Sequence, residues 1–221
     1  MSDQPQQPPQ SPRPDYQRAA QDAMSSAKAA AQDAFGTFMK LIYNPVGALP
    51  DAYRSLAPTQ AIGVGVVFVV VAVVCLMISG QSAASALIGG LGIPGFKGFL
   101  LGLGTTLGMA AGIAVGSCVC RLVLKGQGNL AFDIFLGGAA LLPIGIGVLG
   151  SYLLGVVGIG FPIGALPTLI GFALTILVIF TGLGRIAGIA EGLSSYLVAA
   201  VLASGLSVAY LVARILGKVL F

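Results

Sequence analysis

The sequence predicts an all-α polytopic membrane protein, a bundle of five transmembrane helices preceded by a cytoplasmic amphipathic helix. Three observations carry that expectation. Hydrophobic residues are 57% of the 221 and charged residues only 8%, against about 25% charged in a soluble domain. Mean hydropathy is +0.98. Five of the basic and five of the acidic residues fall in the first 54 positions, so the remainder is nearly uncharged. The 33 glycines show no period of three, which excludes collagen.

Residues 1–14 are polar and rich in Pro and Gln. They lack the charged, then apolar, then small-residue order of a secretory signal and read as a disordered tail. Residues 15–58 read as a cytoplasmic amphipathic helix and linker. Tyr16, Ala20, Ala23, Ala27, Ala31, Ala34, Phe38 and Ile42 recur at three- and four-residue steps, with Asp22, Lys28, Gln32 and Asp33 off that stripe. Such a helix lies on the headgroup surface or packs on the protein's own cytoplasmic side. Asn44-Pro45 ends it, because the residue before proline is driven from the α region.

Residues 59–221 form the five-helix transmembrane domain. Arg54 and Lys97 enclose 42 uncharged residues, Lys97 and Arg121 enclose 23, Asp133 and Arg185 enclose 51, and Glu191 and Arg214 enclose 22. A span needs about 20 apolar residues, so the gap of 51 must hold two, broken near Gly158–Gly164. The expected spans are about 60–79, 98–120, 130–157, 168–184 and 193–216. The weakly apolar stretch from Ser82 to Pro94 reads as interfacial or re-entrant, or else as a sixth span.

Lys and Arg set the orientation. With the N-terminus inside, Arg13, Arg18, Lys28, Lys40, Arg54, Arg121, Lys125 and Arg185 face inward, while Lys97, Arg214 and Lys218 face outward. The expected location is a bacterial inner membrane with a cytoplasmic N-terminus.

Gly104, Gly108, Gly112 and Gly116 stand four apart, and Gly205, Ala209, Ala213 and Gly217 repeat the spacing in the last span. Small residues on one face let backbones approach where lipid gives no hydrophobic drive for association. Gly184, Gly188 and Gly192 continue the pattern at the start of the fifth span. Pro143, inside the third span, removes a backbone donor and is expected to kink the helix, and the nearby Gly137, Gly138, Gly145 and Gly147 are expected to weaken it further.

Arg121 and Asp133 flank a short connection, with Lys125, Arg185 and Glu191 at the same side. Ionisable groups at the hydrocarbon boundary find partners. One reading is an inner-face polar cluster of Arg121, Asp133, Arg185 and Glu191; the other is separate charges reaching water. No catalytic, cofactor or metal set is expected. There is no His, and Cys118 and Cys120 have only the distant Cys75 as a further cysteine, too few to make up a four-ligand Cys/His zinc set. Gly145-Ile-Gly-Val-Leu-Gly150 matches a dinucleotide fingerprint but lies within a span, with no strand before it. The pI of 9.1 comes with no basic stripe, so nucleic acid is not an expected partner.

From Phe38 onward the chain resembles the Yip family, the Ypt-interacting membrane proteins, in its bacterial branch. The resemblance rests on Leu41-Ile-Tyr-Asn-Pro45, on Cys120-Arg-Leu-Val-Leu-Lys-Gly-Gln-Gly-Asn129 and on Ala131-Phe-Asp-Ile-Phe. It rests also on Ala139-Ala-Leu-Leu-Pro143 and on Gly182-Leu-Gly-Arg-Ile-Ala-Gly-Ile-Ala-Glu191. It implies five helices and a cytoplasmic N-terminus. Eukaryotic members are tied to small prenylated GTPases and vesicle traffic. This chain lacks their acidic and aromatic N-terminal segment, which leaves small GTPase binding doubtful.

The function expected is non-enzymatic. The chain organises or scaffolds the bilayer through helix contacts, with other membrane proteins or a homo-oligomer as partners. The alternative is a small transporter or channel subunit for a neutral solute, its path lined at Pro143 and the glycine-rich breaks.

Overall fold

The structure is a computed structural model and describes residues 15–44, 47–87, 96–160 and 163–220. The tail of residues 1–14, the Pro45 stop and part of the 82–94 stretch lie outside those residues. The described chain is helical throughout, without a strand. Its elements are α1 (Asp15–Tyr43), α2 (Ala48–Arg54), α3 (Pro58–Leu87), α4 (Phe96–Val123), α5 (Leu130–Val156), α6 (Leu166–Thr181) and α7 (Glu191–Leu220). A single 3-10 turn, Ile163–Ala165, leads into α6, and a π-helical turn, Gly182–Ile186, ends it.

Five stretches are long and apolar enough to cross a membrane: Pro58–Ser79, Lys97–Val123, Leu130–Val156, Ile163–Ile186 and Glu191–Leu220. The protein is therefore a multi-pass membrane protein. The helix of the first span does not stop at Ser79. It runs on to Leu87, so Ser82–Leu87 continues α3 rather than starting an element of its own.

α5 is the centre. It is the most buried of the five, and α3 and α6 pack along it, with α4 against a further side. α7 is the least buried and lies chiefly on α4. Glycine makes these approaches close. A Cβ on Gly65 would lie 2.8 Å from the Ile134 carbonyl oxygen, and one on Gly145 would lie 2.8 Å from the Ala72 Cα. A Cβ on Gly138 would meet the Gly65 carbonyl, and one on Gly171 the Pro143 carbonyl. The sequence suggests that Gly137, Gly138, Gly145 and Gly147 loosen the third span; here each lies against a neighbouring helix instead.

Pro143 lies within an unbroken α5. It offers no N–H to the preceding turn. Beside that gap Thr175 of α6, fully buried, donates its hydroxyl to the Ala140 carbonyl at 2.6 Å and to the Gly171 carbonyl at 3.1 Å. Farther along, the Ser151 and Thr168 hydroxyls lie 2.8 Å apart and join α5 to α6 again. Aromatic rings tie α2 and α3 to α5: Tyr53 lies 5.5 Å from both Phe132 and Phe135, and Phe68 lies 6.3 Å from Phe135.

Candidate functional site

Charge inside the bundle is concentrated at one end, where α4 stops and α5 starts. Arg121 is in the last turn of α4 and Asp133 in the first turn of α5. Between them the chain reverses in a few residues, using left-handed backbone at Lys125 (φ 52°) and Gly128 (φ 114°). Asn129 caps α5: its side-chain oxygen accepts from the Phe132 N–H at 3.0 Å. That cap satisfies one of the free N–H groups of the first turn.

The reversal points Arg121 at Asp133. Nη2 lies 2.8 Å from the Asp133 Oδ2, and the two side chains form an ion pair. Ser117, one turn earlier on α4, donates its hydroxyl to the Asp133 Oδ1 at 2.9 Å. Nη1 of Arg121 donates to the Gly128 carbonyl at 3.1 Å, and Nη2 reaches the Cys118 sulfur at 3.8 Å. Asp133 is 0% exposed and the Arg121 side chain 10%. Both carboxylate oxygens are thus met by donors. Among the side-chain atoms of the described residues, Nε of Arg121 is buried without a hydrogen-bond partner, a loss worth about 1–3 kcal/mol.

A carboxylate at the N-terminus of a helix also meets the positive end of its dipole. Asp133 therefore combines three favourable terms: the dipole, the guanidinium and the hydroxyl. Without such partners, burying a carboxylate away from water is costly.

Tyr53 of α2 covers the site. Its hydroxyl donates to the Asn129 side-chain oxygen at 3.2 Å. Burial pushes the Tyr53 phenol above its ordinary range, the Asp133 charge adds to that, and Arg121 partly opposes it. A second strut comes from the π-helical turn after α6: the Gln127 N–H donates to the Ala187 carbonyl at 2.7 Å. The α4–α5 and α6–α7 connections are therefore bonded to one another by backbone.

No protein-family model, curated protein or solved structure matches this chain. Its site has to be read from its own geometry.

Of the four residues expected in the polar cluster, the structure brings together Arg121 and Asp133. Arg185 and Glu191 are at the same end of the bundle but exposed, outside the ion pair. The π-helical turn shifts the register after Thr181, and Gly188 takes φ 69°. The chain there leaves its helix and carries those two side chains outward. For the same reason Gly188 and Gly192 have no neighbour within 4 Å of a Cβ position, so the glycine pattern does not continue there. Sequence reasoning missed Ser117, Asn129, the Gly128 carbonyl and Tyr53. Asn129 did carry a signal, an Asn directly before an apolar run. Ser117 carried another, one helical turn before an arginine.

The small residues of α4 face α7. A Cβ on Gly112 would lie 2.7 Å from the Gly205 Cα, and one on Gly108 would lie 3.0 Å from Val212 and 3.5 Å from the Ala209 Cα. One on Gly116 would lie 3.0 Å from Ser204, and one on Gly104 would meet the Leu216 side chain. Ser204 donates its hydroxyl to the Gly112 carbonyl at 2.9 Å. Ala213 is half-buried on the same helix.

Proposed function

We propose that this chain is a non-enzymatic membrane-organising protein that works as a scaffold through helix contacts, its partners being other membrane proteins or further copies of itself. The observation that carries the reading is where the hydroxyls of the spans go. Ser204 bonds the backbone of α4, Thr175 bonds that of α5, and Ser151 pairs with Thr168. Thr105 and Thr106 bond back to their own helix. These groups hold helices together and leave little to line a polar path. The glycine register of α4 and α7 serves the same end. The small residues bring two backbones close enough for dispersion and a hydroxyl bond to hold them.

Arg121 and Asp133 belong to this reading as the latch of the two helices at one end. The excess of Lys and Arg at that end supports a cytoplasmic N-terminus in a bacterial inner membrane. Kinship with the Yip family is part of the proposal on the short stretches quoted above, and small GTPase binding is not.

The rival is a small transporter or channel subunit for a neutral solute. Stopped-flow light scattering on liposomes containing the protein, beside chemical cross-linking of the same vesicles, separates the two. Scaffolding requires cross-linked complexes with water and glycerol permeabilities equal to those of empty vesicles. A protein-dependent rise in either permeability would overturn it.

A further inference from the structure

The α1 helix is docked by one side and bare on another. Thr37 is buried, and α1 runs against α3 and α2. Yet Met24 is 76% exposed and Phe35 66%, with Met39 exposed as well. At 3.6 residues per turn these three fall within one sector of about 60°, and the exposed Lys28 falls in that same sector. The helical register puts the exposed Asp22 and Lys40 together on the far side, about 100° or more from each of the four. α1 is therefore divided into an apolar face that carries a cation and a polar face of mixed charge.

We propose that the Met24–Phe35–Met39 face of α1 lies on the surface of the protein's own bilayer, at the Arg121 end of the bundle, with Lys28 reaching lipid phosphates. Two things on the molecule select lipid over other occupants. α1 is joined to the first span through α2 alone, within fifteen residues of Pro58, so it is held at the level where that span leaves the membrane. The bare face itself joins three large apolar side chains to one cation, Lys28, with no described acid among them, the make-up that an anionic lipid surface takes. This proposal is independent of the scaffold reading, since a transporter would bear the same helix.

The test uses the full chain with Cys75, Cys118 and Cys120 replaced by Ala. Single cysteines are introduced as Phe35→Cys, Asp22→Cys and Leu206→Cys, and each carries a nitroxide label. Leu206 is exposed in the middle of α7 and reports contact with acyl chains. Relaxation by oxygen and by a neutral nickel chelate is measured in vesicles of phosphatidylcholine with phosphatidylglycerol. The expected result is a severalfold higher oxygen-to-nickel ratio at position 35 than at 22, approaching that at 206. Adding Lys28→Glu lowers the ratio at 35 and leaves that at 206 unchanged. Equal nickel access at 35 and 22 overturns the proposal. So does spin–spin broadening at 35 that disappears on dilution with unlabelled protein, because the face then belongs to a second copy.

Discussion

The Arg121 guanidinium and the Asp133 carboxylate meet at 2.8 Å across the α4–α5 junction, with the carboxylate fully removed from solvent. Replacing either residue alone leaves the other charge without its counter-charge in a largely buried place. Asp133→Ala and Arg121→Ala are each expected to cost about 3–5 kcal/mol. The double variant is expected to cost clearly less than their sum. Thermal unfolding in detergent measures all three, and simple additivity would show that the two charges are independent.

Gly112 has no room for a side chain, since a Cβ would lie 2.7 Å from the Gly205 Cα. Gly102, ten residues earlier on the same helix, has nothing within 4 Å. Gly112→Ala is expected to lower stability by about 1–3 kcal/mol through overpacking. Gly102→Ala is expected to be neutral, or to raise stability by about 0.5–1 kcal/mol because alanine suits a helix better. Melting temperatures of the two variants, moving in opposite directions or by very different amounts, check this.

Thr175 supplies the cross-helix bond next to Pro143. Thr175→Val keeps the shape and removes the hydroxyl. A loss of about 0.6–1.7 kcal/mol is expected, as for other hydrogen bonds between membrane helices. A variant as stable as the parent would mean that the Ala140 carbonyl loses nothing with the hydroxyl.

Tyr53 gives a pH signature. Its phenol is raised chiefly by burial and further by Asp133. A group whose folded pKa is raised contributes stability that is complete below its unfolded pKa and is lost as pH rises through the folded value. The protein should therefore lose stability above about pH 10, and Tyr53→Phe should lose less over that window. Asp133→Asn should move the Tyr53 transition down, part of the way to an ordinary tyrosine. Phenolate absorbance, taken as the difference between parent and Tyr53→Phe, measures both.

The five spans were legible because charge is absent from long stretches, and burying a backbone in lipid leaves the helix as the simplest solution. The meeting of Arg121 and Asp133 was legible too, because a short connection brings the end of one helix to the start of the next. Arg185 and Glu191 share that end in sequence terms, but hydropathy says nothing about the π-helical turn that rotates them outward. The central place of α5 was also hidden. Its glycines read as weak points because the sequence does not state which backbone presses against them. Helix pairing in lipid is set by shape across residues far apart, as with Ser204 and Gly112, 92 positions from each other.

That separation has a consequence for biosynthesis. α5 follows α4 at once, finds α3 already made and meets α6 next, but the main partner of the α4 glycine face is the last helix made. At roughly 5–20 residues per second, Gly112 waits about 5–20 s in the nascent chain before Gly205 exists. During that interval a bare, side-chain-free furrow is open to neighbouring nascent helices. A chain truncated before α7 would keep it open permanently and present a distinctive mark to the proteases that clear orphaned membrane proteins.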